Sequence, residues 1–552
     1  MSSNERNAAD LFVECLEAEG VEYVFGIPGE ETLELNRALD ASDQIEFVPV
    51  RHEQGGAYMA DMYGRLTHRA GVCLGTLGPG ATNLVTSVAD AWLDRSPLVA
   101  LTGQGDLERT HKESHQYIDV VSMFKPITKW NARLNSAGMI PEAVRKAFKV
   151  AQGQKPGPTH LELPEDVMES AIAGRPLPHR QERRRPEPSQ GEFEEAAELI
   201  ANADHPIVLA GNGVSRGGAS QALRAFAHAT GMGVAATFMG KGVLDDDDPH
   251  WRGTVGMQAR DYELAGFRDA DVVITAGYDL VEHAPVNWNP DGDKTIVCID
   301  TVPAEVDEHF VTASDLIGDI DLILRRLTGM VGTGDPATTT PSALEELVQG
   351  AFTEGRHDDA FPMHPPRVLW EIRQALGRRD ILISDVGMHK LWIARMFPAH
   401  EPDTVFIANG LAGMGIALPT AIAAKMVHPE RNVVTVSGDG GFLMNCQELE
   451  TAARLRVPVV NVIWENQQYG SIVWKQDAKF GRHFGVDFTN PDFVQLAQAF
   501  GLPGFRCEGV EDFASHLNAA LELDVPSIVV VPIDYSIDIA LQKKLGKETV
   551  AA

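Results

Sequence analysis

Short β-branched runs alternate with helical patterns along the whole chain, and this alternation constrains the fold more than any other feature. Strands that alternate with helices form parallel sheets that are covered by helices on both faces. We therefore predict an α/β fold of three doubly wound parallel-sheet domains at residues 1–180, 190–330 and 345–552. The runs are VEYVFGI, IEFVPV, AGVCLGT and SPLVALTG in the first part, HPIVLAG, ADVVITAG and KTIVCID in the second, and DILISD, NVVTVSG, PVVNVIW and PSIVVVP in the third.

Two segments are typical of linkers between these domains. Residues 175–190 are rich in proline and arginine, and residues 332–342 are short, polar and rich in helix breakers. A chain of 552 residues is also too long for one hydrophobic core. The first and third parts have similar lengths and strand spacings, which suggests a duplication, although no repeat is visible residue by residue.

Charge and cysteine usage narrow the partners and the compartment. A net charge of −31 argues against nucleic acid or an anionic membrane as partner, because both need a basic surface. The five cysteines are scattered without a CxxC motif, and the N-terminal segment lacks the apolar core of a signal peptide. The most apolar stretch, residues 410–427, contains several glycines and Pro419 and follows Asn409, so we interpret it as a packed helix. We expect a reduced, cytoplasmic protein.

The stretch TVSGDGGFLM places an acid among glycines directly after a predicted strand. Asp439 follows NVVTVS, and Asn466 follows the next run, with one predicted helix and strand between them. Ligands bind at the carboxyl ends of parallel strands, so we expect these side chains to converge. A carboxylate, an amide oxygen and a main-chain carbonyl suit Mg²⁺, which often shares its shell with a diphosphate. Taken alone, Gly438–Gly441 is equally typical of a strand-to-helix turn with an N-cap aspartate.

Two further stretches follow predicted strands and carry polar or glycine residues. Glu53 comes after IEFVPV and enters an apolar helix; by itself it is typical of an exposed first-turn glutamate that the helix dipole favours. Gly78, Pro79 and Gly80 follow AGVCLGT. They could form a tight turn, or they could let the backbone lie against a planar ring.

Several motifs together resemble the thiamine-diphosphate (ThDP) enzymes of the acetohydroxyacid synthase and pyruvate oxidase group. They are VFGIPG, RHEQGGAYMA, GTLGPGATN, HQYIDVVSMFKPITKW, GPTHLELPEDV, NGLAGMGIALP and the GDG…N pair, in the family's order over nearly the full length. The resemblance implies a pyrimidine-binding (PYR) domain, a Rossmann-like central domain and a diphosphate-binding (PP) domain. These correspond to the three predicted parts.

The resemblance also implies residue roles. Glu53 would hydrogen-bond the aminopyrimidine, Met414 would hold ThDP bent, and Asp439, Asn466 and the Gln468 carbonyl would hold Mg²⁺. Gln116 and Gln476 would lie near substrate, or could instead be surface amides. The implied cofactor-binding residues are Gly29, Glu53, Thr76, Gly78, Pro79, Gly80, Asn83, Gly413, Met414, Gly438, Asp439, Gly440, Gly441, Asn466, Gln468, Tyr469 and Gly470.

Residues 270–300 resemble the catabolic, FAD-independent acetolactate synthases, and the RFDDR-like stretch of the FAD-containing enzymes is absent. No FAD is therefore expected, and we interpret the glycine-rich 210–218 as structural because no ribose-binding acid follows the next run. The implied reaction joins two pyruvate molecules into 2-acetolactate and CO₂ through a ThDP ylide and enamine.

The alternatives are another ThDP-dependent 2-keto acid decarboxylase or carboligase, or a non-catalytic scaffold, against which the intact Glu53 argues. In the family two subunits build each site, which implies a homodimer at minimum and a homotetramer as the expected assembly. The chain departs from the family at Glu465-Asn466, where the broader family has Asn-Asn and the catabolic enzymes have Asn-Asp. Trp474 and Lys475 also differ from the catabolic pattern and could reshape the acceptor pocket.

Overall fold

The computed structural model describes residues 6–178, 186–258, 260–332 and 341–536. By its internal contacts the described chain divides into two compact units. The predicted linkers at 175–190 and 332–342 lie partly outside the described residues, so the predicted domain boundaries stay predictions. The first unit takes in the described parts of Met1–Glu182 with Gly410–Glu430 and Leu443–Val457, and the second takes in those of Arg183–Asn409, Arg431–Phe442 and Pro458–Ala552.

A six-stranded sheet forms the centre of the first unit. All its neighbouring strands are parallel, in the order β2-β1-β3-β4-β6-β5. Its strands are β1 (Tyr23–Gly26), β2 (Glu46–Pro49), β3 (Gly71–Gly75), β4 (Leu98–Gln104), β5 (Trp130–Arg133) and β6 (Pro158–Pro164). The accompanying helices are α1 (Ala8–Ala18), α2 (Leu33–Asp40), α3 (Glu53–Thr67), α4 (Pro79–Leu93), α5 (Val120–Phe124), α6 (Ile140–Gln152) and α7 (Glu165–Glu169).

Strand β6 was not predicted because its sequence, PTHLELP, lacks a continuous apolar run. Every residue of the strand is nevertheless buried. The His160 ring bonds the Thr102 hydroxyl at 2.8 Å, and Glu162 accepts a bond from the Gln104 amide at 2.9 Å. Burial lowers the pKa of His160 to about 3, so its ring is neutral at physiological pH. Strand β4 thus supplies one partner to each of these buried groups, and Arg133 on β5 also pairs with Glu162.

The second sheet has the strand order of a dinucleotide-binding fold. Its order β12-β11-β10-β7-β8-β9 is 6-5-4-1-2-3 when the strands are counted within the sheet, and the pairs are all parallel. The predicted Rossmann-like topology is confirmed. The strands are β7 (Pro206–Ala210), β8 (Gly233–Ala236), β9 (Trp251–Thr254), β10 (Val272–Ala276), β11 (Thr295–Asp300) and β12 (Thr312–Ile317), and the helices are α8 (Gln190–Ala201), α9 (Asn212–Arg216), α10 (Ser220–Thr230), α11 (Asp261–Ala265) and α12 (Ile320–Met330).

The third sheet repeats the topology of the first. Its order is β14-β13-β15-β16-β18-β17, which is 2-1-3-4-6-5 within the sheet, as in the first sheet. This shared order supports the suggested duplication. The strands are β13 (Ile381–Ser384), β14 (Val405–Ile407), β15 (Val433–Gly438), β16 (Val460–Glu465), β17 (Gly504–Arg506) and β18 (Ser527–Pro532). The remaining helices are α13 (Ala343–Gly355), α14 (Pro365–Ala375), α15 (Met388–Met396), α16 (Ala417–Val427), α17 (Asp439–Asn445), α18 (Glu448–Leu455), α19 (Gly470–Phe480), α20 (Phe493–Ala499) and α21 (Val510–Leu521).

Three six-stranded parallel sheets with accompanying helices confirm the predicted fold class within the described residues. The apolar stretch at 410–427 contains the 11-residue helix α16, whose first eight residues are buried and which packs on α3 within the first unit. Nowhere in the described ranges is a helix both long and apolar enough to cross a bilayer.

Candidate active site

Asp439 organises the carboxyl end of β15 in the second unit. The side chain is only 1% exposed. Its Oδ2 accepts hydrogen bonds from the main-chain N–H groups of Asn466 at 3.0 Å and Gln467 at 2.6 Å, and from the side-chain amide of Asn490 at 2.8 Å. Its Oδ1 accepts the N–H of Gly440 at 2.9 Å. The structure therefore brings Asp439 to the main chain of Asn466, while their roles as metal ligands stay predictions.

The register of the sheet explains this convergence. Strands β15 and β16 are parallel neighbours, and Gly438 lies opposite Trp464. Asp439 is the first residue after β15 and Glu465 is the last residue of β16, so Asn466 comes directly beside the Asp439 carboxylate. The order β13-β15-β16 also brings Asp385, which follows β13, to the same edge of the sheet.

Gly440 is a glycine because an aromatic ring lies against it. A Cβ atom at this position would come within 2.8 Å of Tyr469 Cε1 and 3.1 Å of Phe488 Cζ. At Gly441 a Cβ would meet the Asp385 carboxylate at 3.2 Å. The backbone of this turn is thus approached closely from two sides, and its N–H groups open the helix α17.

Glu465, which stands where the family has asparagine, binds a side chain outside this turn. The Glu465 carboxylate pairs with the guanidinium of Arg506, which lies on β17. The acid that replaces the family's first asparagine is therefore neutralised by a neighbour. The main chain of Asn466 remains bonded to Asp439.

Gln468 and Gln476, the two predicted glutamines after β16, both have partners nearby in the sequence. The Gln468 carbonyl accepts the Gly470 N–H at 2.9 Å, and the Gln468 side chain donates to Asp487 at 2.7 Å. Gln476, on α19, accepts the N–H of Phe484 at 2.7 Å. The structure thus gives the Gln476 amide a partner in its own loop, and its role toward substrate stays a prediction.

Sequence reasoning missed two residues at this edge. Asn490 binds Asp439 although the two are 51 positions apart, and it lies outside any periodic element. His389, on α15, is buried, and a Cβ at Gly438 would lie 3.4 Å from its ring. Burial lowers the pKa of His389 to about 3, so the ring is neutral. Only the sheet order brings them here, so no local signal could have identified them.

Glu53 is buried in the first unit and begins α3. It is 7% exposed, and its Oε2 accepts a hydrogen bond from the Asn83 amide at 2.9 Å. The interpretation as an exposed first-turn glutamate is therefore wrong. A buried acid at a helix N-terminus with one oxygen held by an amide has a defined orientation.

Glu448 fixes the turn that precedes Glu53. Its buried carboxylate accepts the main-chain N–H groups of Arg51 at 3.2 Å and His52 at 3.1 Å, and it also accepts the hydroxyl of Thr451 at 2.6 Å. Burial raises its pKa. Sequence reasoning missed Glu448, because the main-chain groups it binds lie nearly 400 positions earlier, 397 for Arg51.

The predicted glycines of this unit are closely packed, and one of them, Gly80, lies against Glu53. Gly78 has a φ of +54°, and a Cβ there would lie 2.6 Å from the carbonyl oxygen of Gln116. Gly80, one residue after Pro79 at the start of α4, would place a Cβ 3.3 Å from Glu53 Oε1. In the loop after β1, a Cβ on Gly29 would meet the Thr76 side chain at 2.3 Å. Gln116 itself is exposed.

Met414 lies in a loop that the first unit holds in place. It is half-buried. A Cβ at Gly413 would come within 2.3 Å of the Tyr58 hydroxyl, and the N–H of Gly410 donates to Asp94 at 2.7 Å. The loop is thus anchored to α3 and to the end of α4, which belong to the same unit as Glu53.

Comparison with known families adds to this geometry. Three family models match the chain in order. They are "Thiamine pyrophosphate enzyme, N-terminal TPP binding domain" at residues 6–123, the central domain of the same family at 193–327, and its C-terminal TPP binding domain at 385–531. The chain belongs to the thiamine pyrophosphate enzymes. The N-terminal match contains Glu53 and Asn83, and the C-terminal match contains Asp439 and Asn466. Thiamine pyrophosphate is ThDP under another name.

Curated relatives cover nearly the whole chain. The chain is 34% identical to "Acetolactate synthase" of Bacillus subtilis (strain 168), over 99% of this chain and 96% of the relative. It is 36% identical to "Acetolactate synthase, catabolic" of Raoultella terrigena, over 96% and 95%. It is 32% identical to "Acetolactate synthase isozyme 2 large subunit" of Escherichia coli (strain K12), over 96% of each.

Proposed function

We propose that the protein is an acetolactate synthase, which condenses two pyruvate molecules to 2-acetolactate with release of one CO₂. Full-length similarity to several enzymes of that name supports the proposal. The observation that carries it is the pair of prepared polar sites, Glu53 with Asn83 and Asp439 with its four N–H donors. A scaffold protein would have no need to bury and orient either carboxylate.

The residues at the end of β15 fit Mg²⁺ and a diphosphate. The donor set is all oxygen, as magnesium prefers. Asn490 Oδ1 is buried and finds no hydrogen-bond partner in the part of the chain that the structure describes. We propose that Asp439, Asn466 and the Gln468 carbonyl hold the ion, while Gly438, Gly440 and Gly441 admit the diphosphate. Tyr469 and Gly470 would line the same site.

Asp439 has one oxygen better placed than the other for an ion. Its Oδ2 already accepts three N–H groups, whereas Oδ1 accepts only that of Gly440. The three bonds orient the carboxylate and leave Oδ1 to the cation. The carboxylate is thereby held in a fixed orientation before the ion binds.

Bound ThDP supplies the nucleophilic carbon and the electron sink that a 2-keto acid needs to lose CO₂. Glu53 would hydrogen-bond the pyrimidine ring nitrogen and exchange a proton with it, as a buried acid at a fixed position can do. Asn83 holds Glu53 Oε2, so Oε1 is left for this contact. Met414 would support the bent cofactor, and Gln116 and Gln476 would contact the keto acids.

We also propose that the enzyme works without FAD. In sheets of this order a nucleotide pyrophosphate binds where the order reverses, here between β7 and β10, at the N-terminus of the helix after the first strand. Buried Glu282 fills that place: its Oε1 accepts the N–H of Asn212 at 3.2 Å, and its other oxygen accepts the hydroxyl of Thr237. The main chain of the glycine-rich segment 210–218 therefore donates to a side chain of its own domain, at the place where a nucleotide phosphate would bind.

A homodimer at minimum, and a homotetramer as the full assembly, follow from family membership as proposals. We also propose a cytoplasmic location. It is supported by the five cysteine thiols, all of which lie in the described ranges and are free.

The test is an assay of purified protein with ThDP, Mg²⁺ and pyruvate, in which acetolactate is converted to acetoin by acid. We expect acetoin, and a loss of about 10²–10⁴-fold in rate for Glu53→Gln because the amide cannot relay a proton. The matched control is Glu46→Gln, since Glu46 is exposed on β2. An unchanged rate in Glu53→Gln would contradict the mechanism.

Another ThDP-dependent decarboxylase or carboligase is the second candidate. Trp474 and Lys475 on α19 favour it, because both depart from the catabolic pattern next to the predicted substrate residue Gln476. CO₂ and acetaldehyde without acetoin would support this candidate, and so would activity confined to a different 2-keto acid.

A further inference from the structure

Three potential metal ligands meet at the edge of the second sheet, in the second unit. His228 lies near the end of α10, and Asp248 and His250 lie in the loop that leads into edge strand β9. One nitrogen or oxygen atom from each lies within 4.8 Å of the other two. We call these three residues the edge cluster.

His250 is the buried member of this cluster. The residue is 3% exposed, and its Nδ1 is buried without a hydrogen-bond partner anywhere in the described chain. A buried ring nitrogen that has no hydrogen-bond partner is a group that a bound ion would satisfy.

Asp248 and His228 complete the set from the solvent side. Asp248 Oδ1 accepts the N–H of His250 at 3.0 Å, which orients the carboxylate, and Asp248 Oδ2 lies 2.8 Å from His228 Nε2. The two imidazole rings are 4.7 Å apart between centroids. The Arg224 guanidinium approaches Asp248 Oδ2 only to 3.8 Å and is half-exposed, so it can swing into solvent.

We propose that the edge cluster binds a divalent transition-metal ion of the zinc class, with His228, Asp248 and His250 as ligands and water completing the shell. Two imidazoles and one carboxylate are a donor set that Zn²⁺ favours over Mg²⁺. Bonds of about 2.1 Å in a tetrahedron place ligand atoms about 3.4 Å apart, which needs only side-chain adjustment here. The ion would fasten α10 to the loop before β9. This site is separate in chemistry from the all-oxygen set at Asp439.

The test is a Co²⁺ titration of the full-length protein without a polyhistidine tag, after dialysis against chelator and with Mg²⁺ and ThDP saturating. We expect one equivalent of Co²⁺ to give visible absorption bands that Zn²⁺ abolishes. His228→Gln should weaken binding by more than about 100-fold, beyond the loss from removing an outer-shell partner. His228 is half-exposed, so this variant should fold. His250→Ala should act in the same way, and circular dichroism checks its folding.

The matched control is His400→Ala, which alters the other histidine–aspartate group, Asp245, Asp247 and His400. That variant should keep the bands, because Arg378 already pairs with Asp245 there. Absence of bands in the parent protein, bands that persist in His228→Gln, or bands lost only in His400→Ala would each overturn the proposal.

Discussion

Replacing Asp439 by asparagine should loosen the segment that follows β16 even without cofactor. Asp439 accepts four hydrogen bonds, three of them at Oδ2, from Asn466, Gln467 and Asn490. Asparagine offers one oxygen and one NH₂ group. If its oxygen replaces Oδ2, the NH₂ group faces the N–H of Gly440, which now bonds Oδ1 at 2.9 Å. The opposite orientation would face three donors with a donor, so the first is preferred.

The magnitude follows from the change of acceptor. A hydrogen bond to a charged group contributes about 1.5–3 kcal/mol, whereas one between neutral groups contributes about 0.5–1.5 kcal/mol. Three bonds that each weaken by about 1 kcal/mol lower the free energy of local opening by about 3 kcal/mol. At about 1.4 kcal/mol per factor of ten, the open population rises about 100-fold.

Amide hydrogen exchange, followed by mass spectrometry on the cofactor-free protein, measures this opening directly. In Asp439→Asn we expect the amides of Asn466 and Gln467 to exchange about 100-fold faster than in the parent protein. Asp487→Asn is the matched control, because its exposed carboxylate accepts the Gln468 side chain and pairs with His483, whereas the Asn466 and Gln467 N–H groups bond Asp439. Equal exchange at 466 and 467 in Asp439→Asn and the parent would refute the reasoning.

Two further predictions concern buried charge. Burial raises the pKa of Glu282 from 4.5 to about 8, so between these values the folded state binds the proton more tightly than the unfolded state, and stability falls as pH rises. In Glu282→Gln the melting temperature should therefore depend less on pH between these values than it does in the parent protein. Parallel plots of melting temperature against pH for the two proteins would contradict this. Arg65, whose side chain is 11% exposed, pairs with the buried Asp61 at 2.8 Å, Asp90 at 3.3 Å and Asp94 at 2.9 Å. Arg65→Met should lower the free energy of unfolding by about 3–5 kcal/mol and lower the melting temperature, because it leaves buried carboxylates without their partner. Arg69 is half-exposed, so Arg69→Met should leave the melting temperature nearly unchanged. Equal melting temperatures in the two variants would contradict this prediction.

The sequence by itself determined the fold class and the places where chemistry follows a strand. The β-branched runs at β1, β7, β15 and β16 are buried on both faces of parallel sheets, and such strands need continuous apolar residues, so the pattern is visible locally. The edge strands β14 and β17 were missed because three residues carry too little pattern. The Asp439 turn was visible because an acid among glycines directly follows such a run, at the strand end where parallel sheets bind their ligands.

Only the tertiary structure decided which buried polar groups meet. Glu448 binds the turn before Glu53, Asn490 binds Asp439, and Glu282 fills the N-terminus of α9. A polar side chain is stable in a core only when a partner satisfies it, and here the partners lie from 51 to 397 positions away. Their identity depends on strand order and register, which no local pattern contains. The apolar pattern therefore determines that the strands pair, while the order in which they pair determines the site.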